Sequence, residues 1–164
     1  MQAKDVIRQS IEMADFTLGK YLEDLDDAAL LHRPVGGINH IAWQLGHLLS
    51  SERNVLEGIK AGCCPPLPEG FEAKHSKETS TSNDPTGFHT KAEYMAVWKT
   101  QSDAIKALVD SMSEADLDAP APEGIRSFCP TVGAALNMMG GIHPLMHVGQ
   151  FVAVRRSLGK PIAF

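Results

Sequence analysis

Apolar side chains recur at intervals of three and four along four separate stretches of this chain. The first covers about residues 2–27, with Ile7, Ile11, Ala14, Leu18, Leu22 and Leu25 on one face. That spacing predicts an amphipathic helix whose stripe is buried against another element. "HRPVGG" (32–37) breaks the pattern, and Asn39 is placed to cap a second helix carrying Ile41, Leu45, Leu48, Leu49, Leu56 and Ile59 to about Lys60. A third helix is predicted over about 90–112, with Tyr94, Val97, Trp98, Ile105, Leu108 and Met112. The last starts near Thr131, a capping residue, and runs to about Leu158, where Gly159 ends it ahead of Pro161. Residues 62–90 are rich in Gly, Pro, Ser, Thr and Asn and include "SKETSTSNDPTG". A structureless loop of that length in a compact domain is usually functional or disordered. "DLDAPAPEG" is a second breaker, and there is no alternating strand pattern, Asn-Gly hairpin or internal repeat. The pattern predicts an all-α fold, a four-helix bundle with long crossover loops, in one domain over 1–164. The connections between the second and third helices and between the third and fourth are long enough to cross the bundle.

The stripe of the last helix contains residues that a core does not want. Continued at three-four spacing it reads Val132, Leu136, Met139, His143, His147, Gln150, Val154, Leu158. Burying an imidazole or amide without partners costs a few kcal/mol, so these groups must be satisfied. His143 and His147 are four apart and share a face, which lets both reach one point; such a pair presents two nitrogens to a divalent ion. Two core histidines bonded to neighbouring groups are the alternative. Because two ligands rarely suffice, a third belongs elsewhere, and His47 in the middle of the second helix is the natural one, with Gly46 beside it for close approach. His40 lies at the helix start, roughly 10 Å away, too far to share the ion. Pro144 cannot donate to the Gly140 carbonyl and its ring would clash there. The expected result is a kink or wide turn beside His143, or else a fresh helix starting at Pro144. Pro144 also stands where a zincin motif needs its glutamate, and Glu-x-x-His repeats of a di-iron bundle are absent.

Other polar residues read more plainly. His32, His75 and His89 are expected in solvent, as are Glu52 and Arg53. Arg155-Arg156 end the last helix favourably against its dipole. Trp43, on the face of His47, belongs either to the core or to a pocket wall, and Gln150 either supports His147 or packs. Cys63-Cys64 reads as two small residues in a turn before Pro65-Pro66, a redox or metal pair being the alternative.

The chain has 164 residues with 15 basic and 20 acidic side chains, a formal charge of −5. That balance and the lack of a basic cluster exclude a nucleic-acid backbone binder. No run is long and apolar enough for a membrane span, and the first residues lack a signal peptide's apolar core. An odd count of three cysteines suits a reducing, cytoplasmic setting.

"IAWQLGHLLSSERNVL" followed by "HPLMHVGQFVAVRRSLGKP" resembles the DinB superfamily, which includes bacillithiol transferase-like and other thiol-dependent enzymes. The family's W-x-x-x-H falls on Trp43 and His47, and its H-x-x-x-H-x-x-Q on His143, His147 and Gln150. The resemblance implies a zinc- or nickel-type ion held by His47, His143 and His147, and frequent homodimers. Pro144 departs from the usual aliphatic or aromatic residue. The implied activity is metal-dependent transfer of a low-molecular-weight thiol to a small electrophilic substrate, or a related hydrolysis. A non-catalytic bundle binding a metal or small ligand, and a metal that only braces the fold, are the other readings.

Overall fold

The computed structural model describes residues 2–34, 37–82 and 84–164. Val35 and Gly36 of the predicted breaker and Asn83 of the predicted loop lie outside them. Four long helices form the bundle: α1 (Ala3–Leu22), α2 (Ile41–Ile59), α3 (Lys91–Ser111) and α4. The last comprises Val132–Asn137, a π-helical turn over Met138–Ile142, and His143–Ser157. Among the described residues there is no strand, only an isolated bridge between Pro120 and Thr131.

α1 packs on α3 and α4, and α2 packs on the same two, so α1 and α2 stand at diagonal corners. Contacts at the ends fix the directions. Lys91, at the start of α3, donates to the carbonyls of Leu22, the last residue of α1, and of Leu25 just beyond it. Arg155, at the end of α4, donates to the Tyr21 carbonyl at 2.9 Å and pairs with Asp24. Leu56 near the end of α2 shares a buried cluster with Ile7, Leu108 and Val132. Hence α1 and α4 run one way, and α2 and α3 the other. Parallel neighbours need a connection that returns along the whole bundle, which is why about thirty residues separate α2 from α3. The connection is long enough to cross the bundle, as the sequence reading allowed, and does so lengthwise; the diagonal steps are α1 to α2 and α3 to α4.

The caps are chemically legible. Thr90 and Thr131 accept from the N–H groups of Glu93 and Ala134, and Gly159 takes φ 70° after α4. α2 differs from expectation: its cap is His40, whose Nδ1 accepts the Trp43 N–H at 3.0 Å. Asn39 instead offers its carbonyl to the side chain of Gln44.

The π turn is how the chain accommodates Pro144. The His143 N–H bonds back to Met138 across the widened turn, and the backbone stays helical on both sides. No separate helix starts at Pro144. Gly140 and Gly141 have a further reason: a Cβ at Gly140 would lie 2.7 Å from Ile105 and one at Gly141 1.7 Å from Ser10 Oγ. The glycine pair lets α1 and α3 close onto the π turn. The extra residue in that turn rotates the rest of α4 about its axis. Downstream, the core face is Pro144, Val148, Phe151 and Val154, which keeps only Val154 of the predicted stripe, and Gln150 is exposed.

Arg155 and Arg156 stand in the last turn of α4 as expected, Arg155 with a further role, and the expectation for Glu52 is corrected. Arg155 is buried and ties α1, Asp24 and the Pro161 carbonyl to α4, beyond any dipole effect. Glu52 is buried rather than solvated, accepting from Gln101 Nε2 at 3.0 Å. Burial raises its carboxyl to about 7, partly offset by the Gln101 hydrogen bond. The folded state therefore holds the proton more tightly than the unfolded chain, so stability falls as pH rises from about 4.5 through 7. Glu52→Gln should remove this component: the variant gains stability over the parent between pH 5 and 8, by an amount on the order of 3 kcal/mol. Urea unfolding of both proteins across that range measures it; a pH-independent difference would contradict the buried-acid account.

Candidate metal centre

His47 from the middle of α2 meets His143 and His147 from the segment after the π turn. One nitrogen of each lies within 4.8 Å of one nitrogen of the others. Ring centroids are 5.5 Å apart for His47 and His143, 5.3 Å for His47 and His147, and 4.9 Å for His143 and His147. All three are half-buried. The i, i+4 pair on α4 supplies two rings by helix geometry. The third arrives because α2 packs on α4 at this level.

Hydrogen bonds leave specific nitrogens available. His147 Nδ1 lies 2.8 Å from Gln44 Oε1, an oxygen that can only accept, so Nδ1 carries the proton and Nε2 the lone pair. Gln44 is itself buried and donates to the Asn39 carbonyl at 2.6 Å, which fixes which end of its amide faces His147. The buried Nδ1 of His143 has no hydrogen-bond partner among the described residues. An orphaned buried nitrogen is costly unless a cation or donor meets it. Burial, then mutual repulsion, depresses His143 and His147 to about 4, and burial followed by the charge of Lys77 lowers His47. All three rings are therefore neutral at neutral pH, the form in which imidazole ligates a metal. The residues present fit a divalent ion.

Trp43 stacks on His47 with centroids 4.9 Å apart and planes 7° from parallel. Its indole N–H donates to the Ser76 carbonyl and Thr79 Oγ1, so the wall behind His47 is held by the crossover. Gln150 is exposed, and no hydrogen bond among the described residues links it to the histidines. The supporting amide is Gln44, which sequence reasoning missed. Its signal was present: a glutamine in the apolar run Ile41–Leu49, one turn before His47.

The crossover contributes a second group of rings. His75, expected in solvent, is 3% exposed and lies on Gly46, where a Cβ would fall 2.1 Å from its ring. Gly46 thus admits a loop histidine rather than another helix. His75 donates from Nδ1 to the Phe71 carbonyl at 2.7 Å and accepts the Tyr94 hydroxyl at Nε2, also 2.7 Å. Tyr94 in turn accepts the His89 N–H at 3.3 Å. His89 is half-buried, as is His32, which meets Ser157 Oγ at 2.8 Å. Burial holds His40 and His75 near 4, so both are structural neutral imidazoles. Arg53 is half-buried, reaching the Pro65 carbonyl at 3.3 Å.

Residues 17–151 match the profile of the DinB superfamily, a span that includes all three histidines and the whole crossover. The chain belongs to the DinB superfamily. No curated protein and no solved structure matches it. Membership agrees with the helical bundle and with a histidine group that can hold an ion.

The contact between Gly46 and His75 gives a test of how the crossover is held. Gly46→Ala should destabilise the protein by about 1–3 kcal/mol, because overpacking outweighs the better helix propensity of alanine. Protease cleavage within residues 62–90 should accelerate. Adding His75→Ala to Gly46→Ala should cost less than the sum of the single losses. Additive losses in thermal unfolding would contradict the contact.

Proposed function

We propose that His47, His143 and His147 hold one divalent transition-metal ion of the zinc or nickel type, and that this DinB-superfamily protein is a metal-dependent enzyme. Its reaction is transfer of a low-molecular-weight thiol to a small electrophile, or a related hydrolysis. The observation that carries the reading is three neutral imidazoles from two helices meeting at one point, one with an orphaned nitrogen. Three neutral protein ligands leave at least one position open, the mark of a catalytic rather than a structural site. When bound, such an ion lowers the pKa of a coordinated water or thiol. The chain's own residues do the rest. Gln44 fixes the tautomer and aim of His147, Trp43 holds the ring of His47, and the crossover shields that side from water. The charge of Lys77 reaches His47 and favours an anionic partner near that ring. Trp43 and Gln150 are the proposed pocket-lining residues, with Gln150 on the open side.

One observation favours a non-catalytic metal- or ligand-binding bundle instead: among the described residues no carboxylate bonds to the three histidines, so no general base is at hand. A metal-bound thiolate needs none. A homodimer is part of the proposal, supported by exposed Met13, Ile142 and Met146 on the adjacent helices α1 and α4. A cytoplasmic setting is supported by three free cysteines. No helix is long and apolar enough to cross a membrane among the described residues.

Tag-free protein should purify with metal, and His147→Ala should lose it while keeping its helical circular dichroism; unchanged metal content in that variant removes His147 from the ligand set. Turnover of a thiol panel with a generic electrophile should be lost when the metal is removed by a chelator and return when metal is added back. Metal-loaded protein that turns over none of the panel supports the binding bundle. Gln44→Leu should weaken metal binding by about 10–100-fold, as loss of an outer-shell partner does, whereas Gln44→Glu keeps the acceptor and the affinity. Equal affinities for parent and Gln44→Leu would contradict the role given to Gln44.

A further inference from the structure

The end of α2 and the turn that opens the crossover carry a second group of metal-ligating side chains. A carboxylate oxygen of Glu57 and the thiol sulfurs of Cys63 and Cys64 all lie within 4.8 Å of one another. Ten residues of helix separate Glu57 from His47, a rise of about 15 Å, so the two groups cannot share an ion.

The turn is built to bring these atoms together. The Cys63 N–H returns to the Lys60 carbonyl at 3.2 Å, and Gly62 takes φ 75°, a left-handed conformation suited to glycine. Glu57 is held from both ends: Oε2 accepts the Gly62 N–H at 2.8 Å and Oε1 the Cys64 N–H at 2.9 Å. Hydrogen bonds that orient a carboxylate in this way are the outer-shell pattern of metal sites. Cys63 Sγ donates to the Leu56 carbonyl at 3.4 Å. Cys64 is buried and Cys63 half-buried, so the group is closed on one side and open on the other.

The sulfur spacing discriminates between the chemistries open to adjacent cysteines. The two sulfurs are 3.7 Å apart. Two thiolates at about 2.3 Å from a zinc ion, at the tetrahedral angle, stand about 3.8 Å from each other. A disulfide between neighbours is disfavoured, since their Cα atoms are about 3.8 Å apart against the usual range of about 4.4–6.8 Å. Two soft sulfurs and one hard oxygen suit a borderline divalent ion.

We propose that Glu57, Cys63 and Cys64 form a second metal site, for a thiophilic divalent cation of the zinc type, with solvent completing a tetrahedron on the open side. Binding forms two metal–sulfur bonds and one metal–oxygen bond and releases the two thiol protons to solvent. The ion fastens the start of the crossover to the last turn of α2. This site does not rest on the function proposed for the histidines.

The test is cobalt(II) titration of the full-length, metal-free protein, kept anaerobic and reduced with a phosphine. A near-ultraviolet thiolate-to-cobalt charge-transfer band should rise to one equivalent, be displaced by zinc, persist in His147→Ala and vanish in Cys63→Ser. Bound zinc should fall by one equivalent in Cys63→Ser. The histidine site contains no sulfur and contributes nothing to this band, so failure there leaves the result readable. Because Cys63→Ser can perturb the turn, zinc protection of Cys63 against alkylation is measured on the parent protein. Absence of the band in the parent, its survival in Cys63→Ser, or alkylation unaffected by zinc would each overturn the proposal.

Discussion

Imidazole nitrogens inside a helical bundle must be paired, and this bundle gathers three of them where two helices from distant parts of the chain meet. The cost of leaving such atoms unpaired is of the same order as the contribution of a whole buried aliphatic side chain. Much of the surrounding architecture answers that constraint. The π turn at Met138–Ile142 sets the rotation of His143 and His147. The glycine pair inside it lets α1 close from behind, and Gln44 commits His147 to one tautomer. His143 keeps a buried nitrogen that no described side chain meets. A cation is the partner whose chemistry suits all three rings at once.

The bundle's direction pattern then places the crossover. Because α2 and α3 run the same way, the chain returns the length of the domain between them, passing the histidines as it goes. Phe71 and His75 anchor that return in the core, and Ser76 and Thr79 grip the indole of Trp43. A segment whose composition suggests a free loop is thus part of the wall of the site. The same segment opens on the turn that gathers Glu57, Cys63 and Cys64, so both metal-ligating groups bear on how the crossover is held.

The helices and the three histidines were legible in the sequence because each is dictated by spacing alone. Helical periodicity marks the bundle, and a histidine in an apolar stripe marks a polar group that needs a partner. The features that were not legible depend on contacts between distant residues. Periodicity assumes a uniform helix, so one extra residue in the π turn moved Gln150 out to solvent and brought Pro144 and Val148 in. His75 looked solvated because its burial depends on a glycine twenty-nine positions earlier. Glu52 looked solvated because helix spacing says nothing about Gln101 on another helix. The role of Gln44 depends on His147, more than a hundred positions away, which it reaches only where α2 and α4 pack together.

The proposed metal centre requires that one ion draw His47, His143 and His147 together. An anomalous-difference map from crystals of the metal-loaded protein, recorded at the metal's absorption edge, tests it most directly. A peak is expected between the three rings, with one nitrogen of each at about 2.0–2.1 Å and solvent at a remaining position. Rings that turn away from one another, with no anomalous density between them in crystals shown to contain the metal, would contradict it.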